Sequence, residues 1–303
     1  MSGRRATGGS GAALAVTGNC RDRKGRRGVA GSAKGAGPRA ARTVADPPIT
    51  LSEQDGVRYL HFGSEWVQGA MAIGRPWHIE IDYVAQMMAW LLFLDPPKRI
   101  LQLGLGAGAL TRWCWRYLPR TAVDVVELSE SVIRVVRTQF ALPPDDARLT
   151  VHHEDAARFV AAPDSAGRWG VIQADLYDAE SRGPVCDSLA FYRDCRAALD
   201  PAAGVLVVNL FGEHRSYRKN LDRIARAFDG RVLALPPVRA GNVVALAFTG
   251  PRLEVGAARL RARGADVERR WRLPALGWAC ALLDDAAGRS SEEAGKGPLA
   301  LVV

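Results

Sequence analysis

The sequence predicts an α/β fold: a doubly wound, mostly parallel sheet, preceded by a small N-terminal antiparallel β unit. Three observations predict it. From Lys98 to Leu210 short apolar runs alternate with helical stretches, the rhythm of strand–helix–strand crossovers. The first of those runs feeds a glycine-rich turn, Gly104-Leu105-Gly106-Ala107-Gly108, that opens a helix. Ahead of it, residues 49–75 carry brief apolar runs divided by Asp55-Gly56, a hairpin signal.

The elements follow in order. Ile49 to Leu51, Val57 to Phe62 and Trp66 to Ile73 read as the strands of the β unit. Ile81 to Leu94 is too long and too densely apolar for a strand, so the pattern predicts one buried helix, ended by Asp95-Pro96-Pro97. Arg99 to Leu103 is the strand entering the glycine turn, and Ala109 to Tyr117 the helix leaving it. Ala122 to Leu128 is a strand; Ser129 caps a helix over Ser131 to Phe140. Leu149 to His152, a short helix over Asp155 to Ala161, and Gly170 to Ala174 follow. Phe191 to Leu199 and Arg215 to Phe228 read as helices around a strand at Gly204 to Leu210. Arg231 to Leu235 and Asn242 to Thr249 are two more strands, expected antiparallel at one sheet edge. Glu254 to Arg270 is a charged helical stretch, and from Asp284 the composition predicts loss of order. The chain is thus expected to divide into a tail (1–47), the β unit (48–80), a catalytic domain (81–283) and a disordered end (284–303).

Charge is concentrated rather than spread. Residues 1–45 hold ten Lys and Arg against Asp22 alone, so the whole formal charge of +9 resides there. A body without net charge gives no reason to propose a nucleic-acid face. The tail is rich in Gly, Ala, Ser and Arg and cannot bury enough apolar surface to offset its ordering entropy, so it is expected to be disordered. A segment without function, a polyanion-binding arm and an Arg-rich transit peptide are the three accounts of it. The longest apolar run, Met87 to Leu94, is too short to cross a bilayer, so no membrane partner is expected. Five scattered cysteines without Cys-x-x-Cys spacing suggest reduced thiols in the cytoplasm. His152 and His153 are adjacent on a strand and point to opposite faces, so no metal site is expected.

The glycine turn gains meaning from the acids that follow it. Missing side chains let the backbone approach a ligand closely, and the helix N-terminus favours strongly hydrogen-bonding groups. Glu127 ends the second strand, where a carboxylate can take both ribose hydroxyls. Glu154-Asp155-Ala156 follows the third strand and Asp175 ends the fourth, with Asp178 close behind. Successive strand ends of such a sheet face one crevice. The Gly-x-Gly-x-Gly spacing suits an adenosyl sulfonium ligand, which has no pyrophosphate to hold.

Together these residues resemble the spermidine synthase (polyamine aminopropyltransferase) family, and most closely its divergent bacterial spermidine synthase-like branch. The likeness covers roughly residues 49–250. It rests on the β unit, Tyr83, Arg99-Ile-Leu-Gln-Leu-Gly-Leu-Gly-Ala-Gly108, Val125-Val-Glu-Leu128, Glu154-Asp-Ala156, Asp175-Leu-Tyr-Asp178 and Gly204-Val-Leu-Val-Val-Asn-Leu210. The resemblance implies a Rossmann-like sheet of the class I methyltransferase type. It implies transfer of an aminopropyl group from decarboxylated S-adenosylmethionine, as co-substrate, to a polyamine amine. Gly104, Gly106, Ala107 and Gly108 would then line the donor, with Glu127 on the ribose and Asp155 and Ala156 at the adenine. Asp175 takes the place of the family's catalytic acid, Asp178 helps to hold the cationic acceptor, and Tyr83 lies next to the donor chain. A homodimer is the family's common assembly.

Two departures from the family pattern stand out. Its loop usually reads Gly-Gly-Gly-Asp-Gly-Gly, with the acid holding the aminopropyl ammonium; Ala107 stands there in this chain. His-Glu follows its tyrosine, where this chain has Val84-Ala85. Two alternatives therefore stand beside aminopropyl transfer: an S-adenosylmethionine-dependent methyltransferase, and a non-catalytic nucleoside-binding homologue.

Overall fold

The computed structural model describes residues 48–177, 184–292 and 300–303, so the expectations for the basic tail and for Asp178 lie outside the described residues. Strands β1 (Ile49–Gln54), β2 (Val57–Phe62) and β3 (Val67–Ala72) form an antiparallel sheet in that order. Asp55 and Gly56 both take positive φ, 52° and 75°, as a two-residue hairpin turn requires. The predicted helix over Ile81 to Leu94 is instead broken. Helix α1 covers only Asp82–Gln86, and a separate 3-10 turn covers Ala89–Leu92. Met88 N–H turns back to Ala85, while the Met87 carbonyl accepts from the Gln173 side chain at 3.1 Å. That side-chain bond occupies an acceptor a continuous helix would use, and no pattern in so densely apolar a run could reveal it.

The main sheet is built from β4 (Arg99–Leu103), β5 (Ala122–Glu127), β6 (Leu149–His153), β7 (Val171–Ala174), β8 (Val205–Phe211), β9 (Val232–Ala234) and β10 (Asn242–Phe248). Helices α2 (Ala109–Tyr117), α3 (Glu130–Gln139), α4 (Ala156–Ala161), α5 (Leu189–Ala198) and α6 (Tyr217–Ala227) connect them. The strand order is β6-β5-β4-β7-β8-β10-β9. β4 to β8 are parallel, and β10 runs antiparallel to both β8 and β9, as expected for the edge. Ser129 caps α3 as predicted, its hydroxyl accepting from Val132 N–H at 3.1 Å.

Alternate residues of the buried strands enter two cores on opposite faces of the sheet. Ile100, Val123, Val125 and Val207 face one core, and Leu101, Leu103, Val126 and Val208 the other. Each such side chain contributes about 1.5–3 kcal/mol by leaving water. The first core is closed by α7 (Ala257–Trp271) and α8 (Ala275–Glu292), which bring Leu260, Trp271, Trp278 and Leu282 onto it. The end of the chain departs from expectation. α8 continues past Asp284, and Ala300–Val302 (β12) pairs with Glu254–Gly256 (β11), where Leu301 and Val303 are buried. Three residues of strand are too few for a periodic signal, and their burial depends on a partner almost fifty positions away.

Topology places the site. The chain winds outward from β4 through β5 to β6, then returns to add β7 on the other side of β4. The crevice at the carboxyl ends of β4 and β7 is therefore the switch point at which ligands bind in open α/β sheets.

Candidate active site

Gly104 leaves β4 at φ +92°, and a β-carbon there would lie 2.3 Å from the Asp175 carbonyl oxygen. The loop after β4 and the end of β7 can touch this closely only because position 104 has no side chain. Asp175 N–H donates to Leu103 O at 2.9 Å, and Gly108 N–H to Leu105 O at 2.8 Å, which turns the loop into α2. Gly108, at φ +71°, forms the N-terminal cap of α2 in the left-handed region. From the other side β3 presses on the loop: a β-carbon on Gly69 would meet that of Ala107 at 2.5 Å. Arg112 of α2 is fully buried and fixes the loop from below, donating to the carbonyls of Pro76, Ala107 and Phe140.

Glu127, at the end of β5, is held by the loop itself. One carboxylate oxygen accepts from Leu105 N–H at 3.0 Å and the other from Ser129 N–H at 2.9 Å. Asp155 caps α4 by accepting from Arg158 N–H at 3.0 Å, and Ala156 is the buried first residue of that helix. Neither Glu127 nor Asp155 reaches the wall of the cavity over the loop; they flank it, at the ends of neighbouring strands.

That cavity is lined by Gly104, Leu105, Gly106 and Ala107, by Tyr83 and Asp175, and by the polar residues Gln68, Gln102 and Thr111. Asp175 lies partly buried in its wall. Its Oδ1 accepts from Asn209 Nδ2 at 2.8 Å, and its Oδ2 faces the Tyr83 hydroxyl at 3.4 Å. Burial raises the Asp175 carboxyl above its ordinary value, and the bonds from Asn209 and Tyr83 oppose that rise. Burial and the neighbouring Asp175 together hold the Tyr83 phenol well above its own. Tyr83 also lines a second, more open cavity, with Glu80, Ile81, Asp82, Val238, Arg239 and Ala240. Tyr83 thus lines both spaces.

The sequence reading brought Asp175, Tyr83 and the glycine loop to one place, and the structure joins them there. It did not single out Asn209, although the register carries the signal: Ala174 of β7 pairs with Val208 of β8, so Asp175 and Asn209 are neighbours. Gln68, Gln102 and Thr111 were also missed. Gln102 and Thr111 are hydrogen-bonded to each other at 2.6 Å, a contact between strand and helix with no sequence spacing of its own. Among the described residues no group of His, Cys, Asp and Glu is arranged to hold a metal ion, and no helix is long and apolar enough to cross a membrane.

Comparison with known proteins decides the family. Residues 80–228 match the spermine/spermidine synthase domain. The polyamine aminopropyltransferase of Neisseria meningitidis serogroup A is 34% identical over 221 residues, 72% of this chain and 82% of that protein. The chain belongs to the polyamine aminopropyltransferase family. The Chromobacterium violaceum member is 34% identical over 230 residues, covering 76% and 87% of the two chains. A probable spermidine synthase from Corynebacterium glutamicum shares the fold, with a TM-score of 0.58 at 18% identity over 71% of this chain and 83% of that one. Membership makes this aminopropyltransferase-family protein an enzyme of the transferase class. Methyl transfer is the less supported alternative, since these relatives are aminopropyltransferases.

Proposed function

We propose that the enzyme moves an aminopropyl group from decarboxylated S-adenosylmethionine to an amine of a small polyamine, with Asp175 as the base. The observation that carries this is the position of Asp175 beside Tyr83, a residue that lines both cavities. The nucleoside lies over Gly104, Gly106, Ala107 and Gly108, with Glu127 on the ribose and Asp155 and Ala156 toward the adenine. The acceptor enters from the second cavity, where Glu80 and Asp82 suit an ammonium group. Its amine nitrogen attacks the methylene carbon bonded to the sulfonium. The carbon–sulfur bond breaks, sulfur keeps the electron pair as a neutral thioether, and the proton lost by nitrogen passes to Asp175. Asp178 is assigned to holding the acceptor's charge. Fixing nitrogen behind carbon supplies much of the rate, and the carboxylate stabilises the cation that forms.

The donor's tail meets neutral groups on the cavity wall: Ala107, Gln68, Gln102 and Thr111. Calorimetry with the decarboxylated and the carboxylated donor side by side tests the assignment. Tighter binding of the decarboxylated form is expected. Preference for the carboxylated form would turn the assignment to methyl transfer, and binding of neither would leave a non-catalytic homologue. A cytoplasmic homodimer completes the proposal, consistent with free thiols at Cys114, Cys186, Cys195 and Cys280.

A further inference from the structure

The base of this reaction does not stand alone in the structure. Asn209 is 2% exposed in β8, two residues before its end and one strand over from Asp175, and donates from Nδ2 to Asp175 Oδ1 at 2.8 Å. Its own Oδ1 accepts from Asn242 Nδ2 at 3.0 Å, and its backbone carbonyl accepts from the Tyr177 hydroxyl at 3.1 Å. Asn242 begins β10, the strand that enters the sheet antiparallel, so the chain of contacts runs across three adjacent strands.

We propose that Asn242 and Asn209 form a positioning relay that orients the Asp175 carboxylate and keeps it ionised for proton acceptance. The inference rests on the reading of Asp175 as base. Its logic is the asymmetry of an amide. A side-chain amide has one donor end and one acceptor end, and only the donor end suits a carboxylate oxygen. Asn242 presents an N–H to Asn209, and both bonds form together only with the oxygen of Asn209 turned away from Asp175 and its N–H toward it. A flip would set Asn209 oxygen against carboxylate oxygen and Asn209 N–H against Asn242 N–H, losing both bonds. Asp175 Oδ1 is thereby committed to the relay, and Oδ2 is left to face the Tyr83 hydroxyl and the cavity.

The relay also adds, beside the Tyr83 hydroxyl, a second donor that a buried base needs. Burial favours the neutral carboxylic acid, and a donated N–H favours the anion. Among the described residues, the titratable groups facing Asp175 are Tyr83, from α1, and Tyr177, just beyond β7. Both are phenols pushed above their ordinary value by burial first and by Asp175 second, so they stay neutral donors across the working range. The neutral amide of Asn209 adds a donor without adding charge.

The test uses Asn209→Leu and Asn242→Ala, with Asp175→Asn as control. Asn209→Leu removes the donor at similar volume. It should lower kcat by roughly ten- to hundredfold, the equivalent of one hydrogen bond to a charged group. KM for the donor nucleoside should stay within about twofold, because the glycine loop is untouched. The acid limb of the kcat/KM–pH profile should move to higher pH, since the carboxylate has lost a donor. Asn242→Ala, which keeps the Asn209 side chain but frees it to flip, should move the same limb in the same direction by less. Thermal melting identifies a variant that fails to fold, in which case the Asn242→Ala profile decides. A wild-type profile in folded Asn209→Leu, or in Asn242→Ala, would overturn the relay. Activity retained in Asp175→Asn would overturn the base assignment instead. An inactive Asp175→Asn with an unmoved profile in both asparagine variants separates the two failures.

Discussion

Replacing Gly104 by alanine tests how the strand end and the loop are built against each other. Two costs add at this position. At φ +92° an L-residue sits in a region its β-carbon disfavours, worth roughly 1–2 kcal/mol. The new methyl would also lie 2.3 Å from the Asp175 carbonyl oxygen, which is backbone and cannot swing aside. Relieving such an overlap in a packed site adds about 1–3 kcal/mol. The sum is about 2–5 kcal/mol. Gly56 provides the comparison within the same chain. It has φ +75° but nothing within 4 Å of the added carbon, so Gly56→Ala should cost only the backbone portion, roughly 1–2 kcal/mol. Urea denaturation of both variants gives the two stabilities, and initial rates of transfer give the two activities. Gly56→Ala should keep its activity. Gly104→Ala should lose more than about a hundredfold, because relief of the overlap displaces Asp175 by a sizeable part of an ångström. Equal stability losses in the two variants, or an active Gly104→Ala, would refute the claim that this glycine sets the distance between loop and base.

Three further outcomes follow from the same geometry. Asp175→Asn should abolish turnover, keep nucleoside affinity near wild type, and make the fold more stable at neutral pH. With its carboxyl raised in the folded state, the unfolded chain releases that proton first, from about pH 3.9 upward. The wild type therefore loses stability as pH rises through the folded value, and the two proteins should converge in acid; equal urea midpoints at pH 7 would contradict this. Glu127→Gln leaves one side-chain oxygen for two backbone N–H groups, those of Leu105 and Ser129, and sets an NH2 against the other. Adenosine affinity by calorimetry should fall roughly ten- to hundredfold, and an unchanged value would remove Glu127 from the nucleoside site. Leu301→Ala should cost about 2–5 kcal/mol in chemical denaturation, since Leu301 is 2% exposed against the first core. A loss below about 0.5 kcal/mol, the usual size of a surface change, would mean that β12 is not docked.

Local chemistry was legible in the sequence wherever one segment carried its own signal. Asp55-Gly56 announced its hairpin, Ser129 its helix, and the glycine loop its strand and helix. Asp175 could be placed because it directly follows a buried strand. What escaped was fixed by partners distant in the chain. The break in the predicted helix over Ile81 to Leu94 is matched to Gln173, 86 positions from Met87. Asn209 belongs to the site through its pairing with β7 and its bond to Asn242, 33 positions on. The docking of Leu301 depends on β11. Hydrophobic period cannot report contacts of this kind, because each is decided by which strands become neighbours.

The shared wall at Tyr83 has a consequence for the order of events. The donor's reacting carbon and the acceptor's nitrogen would approach from the two cavities that Tyr83 lines, with Asp175 beside its hydroxyl. Direct displacement in that geometry requires both substrates to be present at once, and no group is first parked on the protein. Initial-rate plots at several fixed acceptor concentrations should therefore intersect rather than run parallel. A bisubstrate compound joining the adenosyl group to an amine by a short methylene chain should bind more tightly than either part alone.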